Sequence, residues 1–118
     1  MKKENRLKKR KEFAYIFKKG ESFSSKHIVL TFTPSKLKKY KVGFSCGKKV
    51  GKAVVRNKVK RRVKEAVYAN RNLLKVGYNY IFVGKQNSSL ATFEEIKQEV
   101  EFLLSKMSEN VQKNEKNS

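Results

Sequence analysis

Hydrophobic and polar positions repeat with two periods along the chain, and these periods predict three helices and four strands. Apolar residues recur at helical spacing over residues 6–19, 53–74 and 92–107. Asn5 is a candidate N-cap of the first helix, and Gly20 suits its C-terminal end. The last helix opens with the Thr-Phe-Glu-Glu pattern of a capping box. Each helix therefore has one apolar face that can pack on a sheet.

Strand-forming residues fill the gaps between these helices. Residues 22–24, 27–33, 40–46 and 78–84 are rich in β-branched and aromatic side chains. The polar segment 34–39 predicts a hairpin between the second and third strands. The order α-β-β-β-α-β-α predicts an α/β fold of the α+β sandwich type, with a four-stranded and mostly antiparallel sheet.

The second helix has three chemically different sides. At about 100° per residue one side is apolar, and a second side concentrates polar and basic residues, namely Arg56, Asn57, Lys60, Arg61 and Lys64. Lys58 and Arg62 are predicted to point to the remaining solvent side. Positive charges four residues apart weaken an isolated helix, so their presence here favours a polyanionic partner.

Charge is distributed unevenly between the two halves of the chain. Residues 1–64 contain 23 Lys or Arg and three Glu, whereas residues 65–118 contain seven Lys or Arg and seven Glu. The segment 22–64 has no acidic residue at all. A basic region of this kind is typical of nucleic-acid-binding proteins, and nothing in the sequence favours a membrane as the partner.

Composition limits the chemistry that the chain can perform. Its length suits one domain, predicted at residues 1–107, with a polar and disordered tail at 108–118. There is no Asp, and His27 is the only His, which disfavours a protein-built two-metal nuclease and a histidine-based ribonuclease. The single Cys46 and the lack of a long apolar run favour a cytoplasmic location.

Two phenylalanines on the first helix have two interpretations. At helical spacing Arg6, Arg10, Phe13 and Phe17 fall on one stripe. The two rings either bury against the sheet or stay exposed as a stacking platform for unpaired bases. The spacing alone does not separate these interpretations.

With these elements placed, the sequence resembles the protein subunit of bacterial ribonuclease P. The signature of that family, Arg-Asn-Arg-x-Lys-Arg-x-x-Arg on a helix after a glycine-containing connector, is similar to Arg-Asn-Lys-Val-Lys-Arg-Arg-Val-Lys at residues 56–64. Residues 42–57 resemble the strand and connector of the family, and residues 6–17 resemble its basic segment with two Phe four apart. The likeness covers nearly the whole chain.

The resemblance implies a fold detail and a function. The basic helix should form a left-handed β-α-β crossover. The chain should be the non-catalytic protein subunit of an endoribonuclease, whose catalytic RNA, with bound Mg²⁺, removes the 5′ leader of precursor tRNA. The implied partners are the catalytic RNA and the single-stranded leader, with no small-molecule substrate and no cofactor or metal intrinsic to the protein.

The resemblance also assigns residues to two surfaces. Contacts to catalytic RNA or nearby phosphates are expected from the following residues: Arg56, Asn57, Lys58, Lys60, Arg61, Lys64, Lys48 and Lys49. The leader cleft is expected to contain Arg10, Phe13, Phe17 and Thr31. Lys58 and Lys64 replace signature arginines and lose the bidentate guanidinium. Thr31 stands where some relatives carry an aromatic residue.

Two other functions remain open from the residues alone. A small, lysine-rich chain without Asp is also common among ribosomal and ribosome-assembly proteins, which bind RNA without catalysis. A self-sufficient nuclease is the third possibility. Purification of the bound RNA separates the first two, and incubation of the protein alone with substrate tests the third.

Overall fold

The computed structural model describes residues 2–116, and the side chains of residues 2–112. Within this part of the chain, three α-helices and four strands follow one another in the predicted order. The helices are α1 (Arg10–Lys19), α2 (Ala53–Ala69) and α3 (Phe93–Lys116). The strands are β1 (Glu21–Ser24), β2 (Ile28–Pro34), β3 (Lys41–Cys46) and β4 (Tyr78–Gly84). The predicted α+β architecture is confirmed.

The four strands form one mixed sheet in the order β1-β2-β4-β3. β2 pairs antiparallel with both β1 and β4, whereas β3 lies parallel to β4. β2 and β3 are therefore not neighbours, and the hairpin predicted at residues 34–39 is wrong. β4 separates them because Tyr80, Ile81 and Phe82 are apolar on both faces of the strand, and a central position buries both faces.

The parallel strands β3 and β4 are connected through α2. Parallel neighbours cannot be joined by a tight turn, so a helix returns the chain to the start of the next strand. The first residues of α2 consequently follow the carboxyl end of β3 at one edge of the sheet. The left-handed sense of this crossover stays an expectation from the family resemblance.

The two faces of the sheet pack against different helices. Tyr80 and Phe82 belong to the main core, which α2 and α3 complete on one face. Ile81, between them in the chain, joins a smaller cluster with Leu7 and Ile16 on the face covered by α1. Alternation along a strand sends successive side chains to opposite faces, and β4 thereby contributes to both clusters.

The segment before α1 is extended, although the sequence predicted a helix from residue 6. The Asn5 side chain donates a hydrogen bond to the Tyr40 carbonyl oxygen (2.7 Å), and the Leu7 amide donates to the Val42 carbonyl oxygen (3.0 Å). These bonds attach the segment beside the edge strand β3, so Asn5 is not the N-cap and α1 begins only at Arg10. Local propensity does not reveal bonds offered by an edge strand.

α2 also ends earlier than predicted. The Asn70 side chain donates hydrogen bonds to the carbonyl oxygens of Ala66 (3.0 Å) and Lys97 (3.1 Å). The helix stops at Ala69, and a short 3-10 turn replaces the predicted helical residues that follow. Asn70 therefore fixes the end of α2 against α3.

α3 confirms its predicted start but not its predicted end. The Glu95 amide donates to Thr92 Oγ1 (3.2 Å) and the Thr92 amide donates to Glu95 Oε1 (3.0 Å), which is the capping box. The helix continues through Lys116, and Val111 is only 9% exposed, so the disordered tail predicted from residue 108 is wrong up to residue 116. Residues 117 and 118 lie outside the described residues. No helix within residues 2–116 is long and apolar enough to cross a membrane.

Candidate nucleic-acid interface

One side of α2 is buried and another carries exposed cations, as its periodicity predicted. Val59 and Val63 are each 2% exposed and belong to the main core. Asn57, Lys60 and Arg61 are exposed, and they share the side of the helix away from that core. The cations therefore form a continuous surface, because residues three and four apart are neighbours on a helix.

Two further cations of this surface are partly enclosed. Arg56 and Lys64 are half-buried. The Arg56 Nε is buried and has no hydrogen-bond partner among the described residues. A buried donor without an acceptor destabilises the folded protein, so the enclosure of Arg56 has an energetic cost.

Arg62 does not point to solvent as predicted. It is half-buried, and its Nη1 donates a hydrogen bond to the Ala91 carbonyl oxygen (2.6 Å) just before α3. This bond ties α2 to the start of α3, so Arg62 has a structural role. Lys58, the other residue assigned to that side, is exposed.

A groove of about 340 Å³ separates the basic side of α2 from the edge of the sheet at β3. The α2 wall consists of Asn57, Lys60, Arg61 and Lys64. The opposite wall and the floor consist of Arg6, Leu7, Phe13, Val42, Gly43 and Phe44. One wall is thus cationic and the other largely apolar and aromatic, which matches the phosphate and the base of a nucleotide.

Phe13 reaches this groove because residue 43 has no side chain. A Cβ on Gly43 would lie 2.5 Å from Phe13 Cζ. The Phe13 ring is half-buried, and its centroid lies 6.5 Å from that of Phe17, which is 48% exposed. Phe13 thus packs on the sheet, whereas Phe17 presents an exposed ring near the groove, and base stacking on that ring stays a prediction.

The other two residues assigned to the leader cleft lie in different surroundings. Thr31 is 3% exposed, and its hydroxyl is hydrogen-bonded to that of Ser22 at 2.8 Å. The structure leaves Thr31 almost no surface for a ligand to touch. Arg10 is exposed at the first residue of α1, one turn before Phe13, and it does not line the groove.

The connector between β3 and α2 holds two exposed lysines in a defined turn. Lys48 and Lys49 lie in a 3-10 turn whose third residue, Val50, is buried. Gly51 follows with a φ of 150°, a backbone conformation that favours glycine. Lys48 and Lys49 therefore precede the basic helix on an ordered turn, outside the groove itself.

Cys46 lies near the cations of α2 without becoming a nucleophile. Burial raises the pKa of Cys46, and the positive charges of Lys60 and Arg56 offset this only in part. The thiol stays protonated at neutral pH. Cys46 therefore has the character of a structural residue at the end of β3.

Five groove residues were not assigned to a site from the sequence, namely Arg6, Leu7, Val42, Gly43 and Phe44. Arg6 was expected on a helical stripe, yet it enters the groove through an extended bridge to Val42. These residues could have been found only from the position of β3 at the edge of the sheet, which leaves space beside Phe44 for a ligand. The edge position of β3 follows from the strand order, which the hydrophobic pattern along the chain did not reveal.

Comparison with known proteins gives a consistent result. The ribonuclease P family model matches residues 1–108. The ribonuclease P protein component of Clostridium botulinum (strain 657 / Type Ba4) is 38% identical over 105 residues, which cover 88% of this chain and 95% of that protein. The component of Bacillus velezensis is 40% identical over 109 residues, which cover 92% of this chain and 93% of that protein.

Solved structures show the same likeness in three dimensions. The RNase P protein of Staphylococcus aureus matches with a TM-score of 0.77 at 29% identity, covering 86% of this chain and 93% of that one. The RNase P protein of Thermotoga maritima also gives a TM-score of 0.77, at 28% identity, covering 86% of this chain and 96% of that one. These matches favour the ribonuclease P function over a ribosomal role. The chain belongs to the ribonuclease P protein family.

Proposed function

We propose that this protein docks on a catalytic RNA through the basic side of α2 and holds the single-stranded 5′ leader of precursor tRNA beside Phe13 and Phe17. The RNA carries out the endonucleolytic cleavage, and the protein positions the substrate. One observation carries the proposal. The groove at the β3 edge joins an aromatic ring, Phe13, to three cations and an amide on α2. We place this activity in the cytoplasm, where bacteria make precursor tRNA.

The contacts available at the groove do not depend on nucleotide sequence. Lys60 and Arg61 would contact phosphates of the catalytic RNA, which give affinity and position but carry no sequence information. The exposed ring of Phe17 would stack on a base, and every base has an aromatic face. Arg56, which is half-buried, would contact a phosphate through the exposed part of its side chain. Such contacts allow one protein to act on many different precursor tRNAs.

Mg²⁺ belongs to the RNA side of this mechanism. Among the side chains that the structure describes, those of residues 2–112, His, Cys and Glu form no group of three or more that could hold a metal ion. The residues present therefore do not fit a protein-bound Mg²⁺ site, and we assign them no metal ligand. The cations of α2 would instead lower the repulsion between the catalytic RNA and its substrate, which reduces the Mg²⁺ concentration that the RNA needs.

The test is cleavage of precursor tRNA at low Mg²⁺ with catalytic RNA alone, with protein alone and with both. We expect cleavage only when both are present. A matched pair of variants locates the effect: Lys60→Gln/Arg61→Gln should abolish most of the rescue, whereas Lys36→Gln/Lys38→Gln removes the same charge from the exposed β2–β3 loop and should keep it. Cleavage by the protein alone, or no rescue by the wild type, would contradict the proposal.

The leader contact has its own experiment. Phe17→Ala should raise the KM for a precursor with a long leader by about 5- to 100-fold, the range for loss of one base-stacking contact. It should leave the KM unchanged for a precursor with a one-nucleotide leader. Phe102→Ala removes an equally exposed ring from α3 and serves as the control. An equal effect of Phe17→Ala on both precursors would exclude a leader contact.

A further inference from the structure

Another exposed aromatic side chain, Tyr68, lies at the C-terminal end of α2. Tyr68 is 49% exposed. The Arg71 guanidinium carbon lies 4.3 Å from the centroid of the Tyr68 ring. Arg71 Nη1 also donates a hydrogen bond to the Tyr68 carbonyl oxygen (3.0 Å). The ring is therefore held in place by a cation on one side, and it covers no core.

Tyr68 lies where two grooves meet. One groove, of about 350 Å³, is lined by Arg61, Lys64, Glu65 and Tyr68. The other, of about 450 Å³, is lined by Lys2, Glu4, Asn5, Tyr40, Tyr68 and Arg71. Arg61 and Lys64 also line the groove at the β3 edge, so the basic surface described above extends to Tyr68, with Glu65 beside it.

The chemistry of this continuation matches an unpaired nucleotide. Lys64 and Tyr68 are four residues apart and thus neighbours on the same side of α2. The grooves around Tyr68 contain four cations and the two carboxylates of Glu65 and Glu4, so positive charge dominates. The exposed ring of Phe102 on α3 also has a cation over it, but Lys106 Nζ lies farther from that ring centroid, at 5.8 Å, and Phe102 lines neither of the two grooves around Tyr68. A fixed ring beside a cation is the arrangement by which proteins stack single bases.

We propose that Tyr68, supported by Arg71, is a stacking site for one unpaired nucleotide of the catalytic RNA, whose phosphate contacts Lys64 and Arg61. The site rests on the proposed function but adds a contact that the basic signature does not contain. The occupant is the catalytic RNA because Tyr68 extends the docking side of α2. Phe13 and Phe17, which we assign to the leader, lie on α1, and neither of them lines the two grooves around Tyr68.

The chain contains no Trp, which permits a direct spectroscopic test. Tyr68→Trp places a single indole at the site, and stacking of a base should quench its fluorescence when catalytic RNA is added to the full-length protein. Phe102→Trp, at a similarly exposed position on α3, should show no quenching. Quenching of Tyr68→Trp that begins only on addition of precursor tRNA would overturn the assignment to the catalytic RNA.

Affinity measurements distinguish a contribution of the aromatic ring of Tyr68 from a contribution of its side-chain volume alone. Tyr68→Phe should bind catalytic RNA as the wild type does, whereas Tyr68→Leu and Tyr68→Ala should each bind about 5- to 10-fold more weakly, the lower part of the range for loss of a stacked base. Circular dichroism verifies that each variant is folded. Wild-type affinity in Tyr68→Leu and Tyr68→Ala would overturn the site. That result, together with a large loss in Lys60→Gln/Arg61→Gln, would leave the proposed function standing.

Discussion

α2 and α3 pack on the same face of the sheet, but their first turns are built in opposite ways. α3 begins with the reciprocal bonds of Thr92 and Glu95, and acidic residues in its first turn offset the helix dipole. α2 begins after Lys52, which makes no side-chain capping bond, and its first turn has no acidic residue. The features that stabilise the start of α3 are absent from α2.

The difference at the helix starts reflects two roles. α3 stabilises the fold, whereas α2 carries the surface that we propose binds RNA. α3 places Ile96, Val100, Leu103, Leu104 and Met107 in the core, each 0% exposed. α2 retains like charges four residues apart at Arg56, Lys60 and Lys64, which cost a few tenths of a kcal/mol per pair in an isolated helix. That loss is small beside the affinity that a set of phosphate contacts gives. The stability of the core therefore permits a binding surface on α2 that weakens its own helix.

The largest effect on stability is expected from a substitution at a core residue of α3. Leu104→Ala should lower the free energy of unfolding by about 2–5 kcal/mol, because it leaves a cavity in a fully buried region. Urea denaturation measures this loss. The affinity of the remaining folded protein for catalytic RNA should stay unchanged. Phe102→Ala, at an exposed position of the same helix, is the control and should change stability by no more than about 0.5 kcal/mol.

The next effect concerns a carboxylate that joins α3 to the β1–β2 loop. Glu99 accepts hydrogen bonds from the His27 amide (2.7 Å) and the Ser25 hydroxyl (2.6 Å), and its other oxygen lies 2.6 Å from His27 Nδ1. Glu99→Gln keeps the shape of the side chain but removes the charge. It should lower the free energy of unfolding by about 1–3 kcal/mol at neutral pH, since bonds to a charged acceptor are lost.

The same carboxylate should make stability depend on pH. Burial raises the pKa of Glu99, but hydrogen bonds from Ser25 and His27 outweigh it and hold the pKa below its usual range. The stabilisation is complete above the ordinary pKa of Glu and is lost as the pH falls through the lowered pKa of the folded protein. Unfolding measured from neutral to acidic pH should therefore show a shallower decline in Glu99→Gln than in the wild type. Parallel curves would contradict this assignment.

The caps of the two helices provide a matched pair of smaller effects. Thr92→Ala should lower the free energy of unfolding by about 1 kcal/mol because the capping box is lost. Lys52→Ser should raise it by a similar or smaller amount, since Lys52 already has the extended backbone of an N-cap, with φ at −63° and ψ at 165°. Equal and opposite shifts in the denaturation midpoint would support the comparison. No gain in Lys52→Ser would show that α2 is not under-capped.

The smallest expected effect on stability concerns Lys60. It tests whether the positive charges of α2 lower the stability of the protein while they raise its affinity for RNA. Lys60→Gln removes repulsion with Arg56 and Lys64 and should stabilise the protein by about 0.2–0.5 kcal/mol per pair while it weakens RNA binding. Lys58→Gln removes the same charge from a position outside the groove and should weaken binding less. A variant at Lys60 that lost stability and kept RNA affinity would reverse the proposed roles.

Local sequence patterns predicted the helices and strands. The predictions failed where contacts between distant parts of the chain determine the structure. β4 and the start of α3 were predicted correctly because apolar composition and the capping box are local signals. The pairing partner of β3 and the start of α1 were predicted incorrectly. Both depend on the central position of β4 in the sheet, which leaves β3 at the edge. The end of α3 was misplaced since Val111 continues the apolar stripe inside a polar segment.

The candidate site was likewise predicted only in part from the sequence. The helical period identified the exposed side of α2, including Lys60 and Arg61, without knowledge of the fold. It assigned Arg62 to solvent because the Ala91 carbonyl that binds it comes from a distant part of the chain. The aromatic wall needed the sheet order, since Phe13 enters the groove only over Gly43 of the edge strand. Charge patterns are thus visible in a sequence, whereas grooves between elements are not.

The most direct test of the account is the salt dependence of binding to catalytic RNA. The affinity of the wild type should fall linearly on a plot of log K against log salt concentration, because phosphate contacts release counterions. Lys60→Gln/Arg61→Gln should give a slope shallower by roughly 1 to 2, and Lys36→Gln/Lys38→Gln should keep the wild-type slope. A wild-type affinity indifferent to salt, or identical slopes in all three proteins, would contradict the claim that α2 binds RNA through its cations.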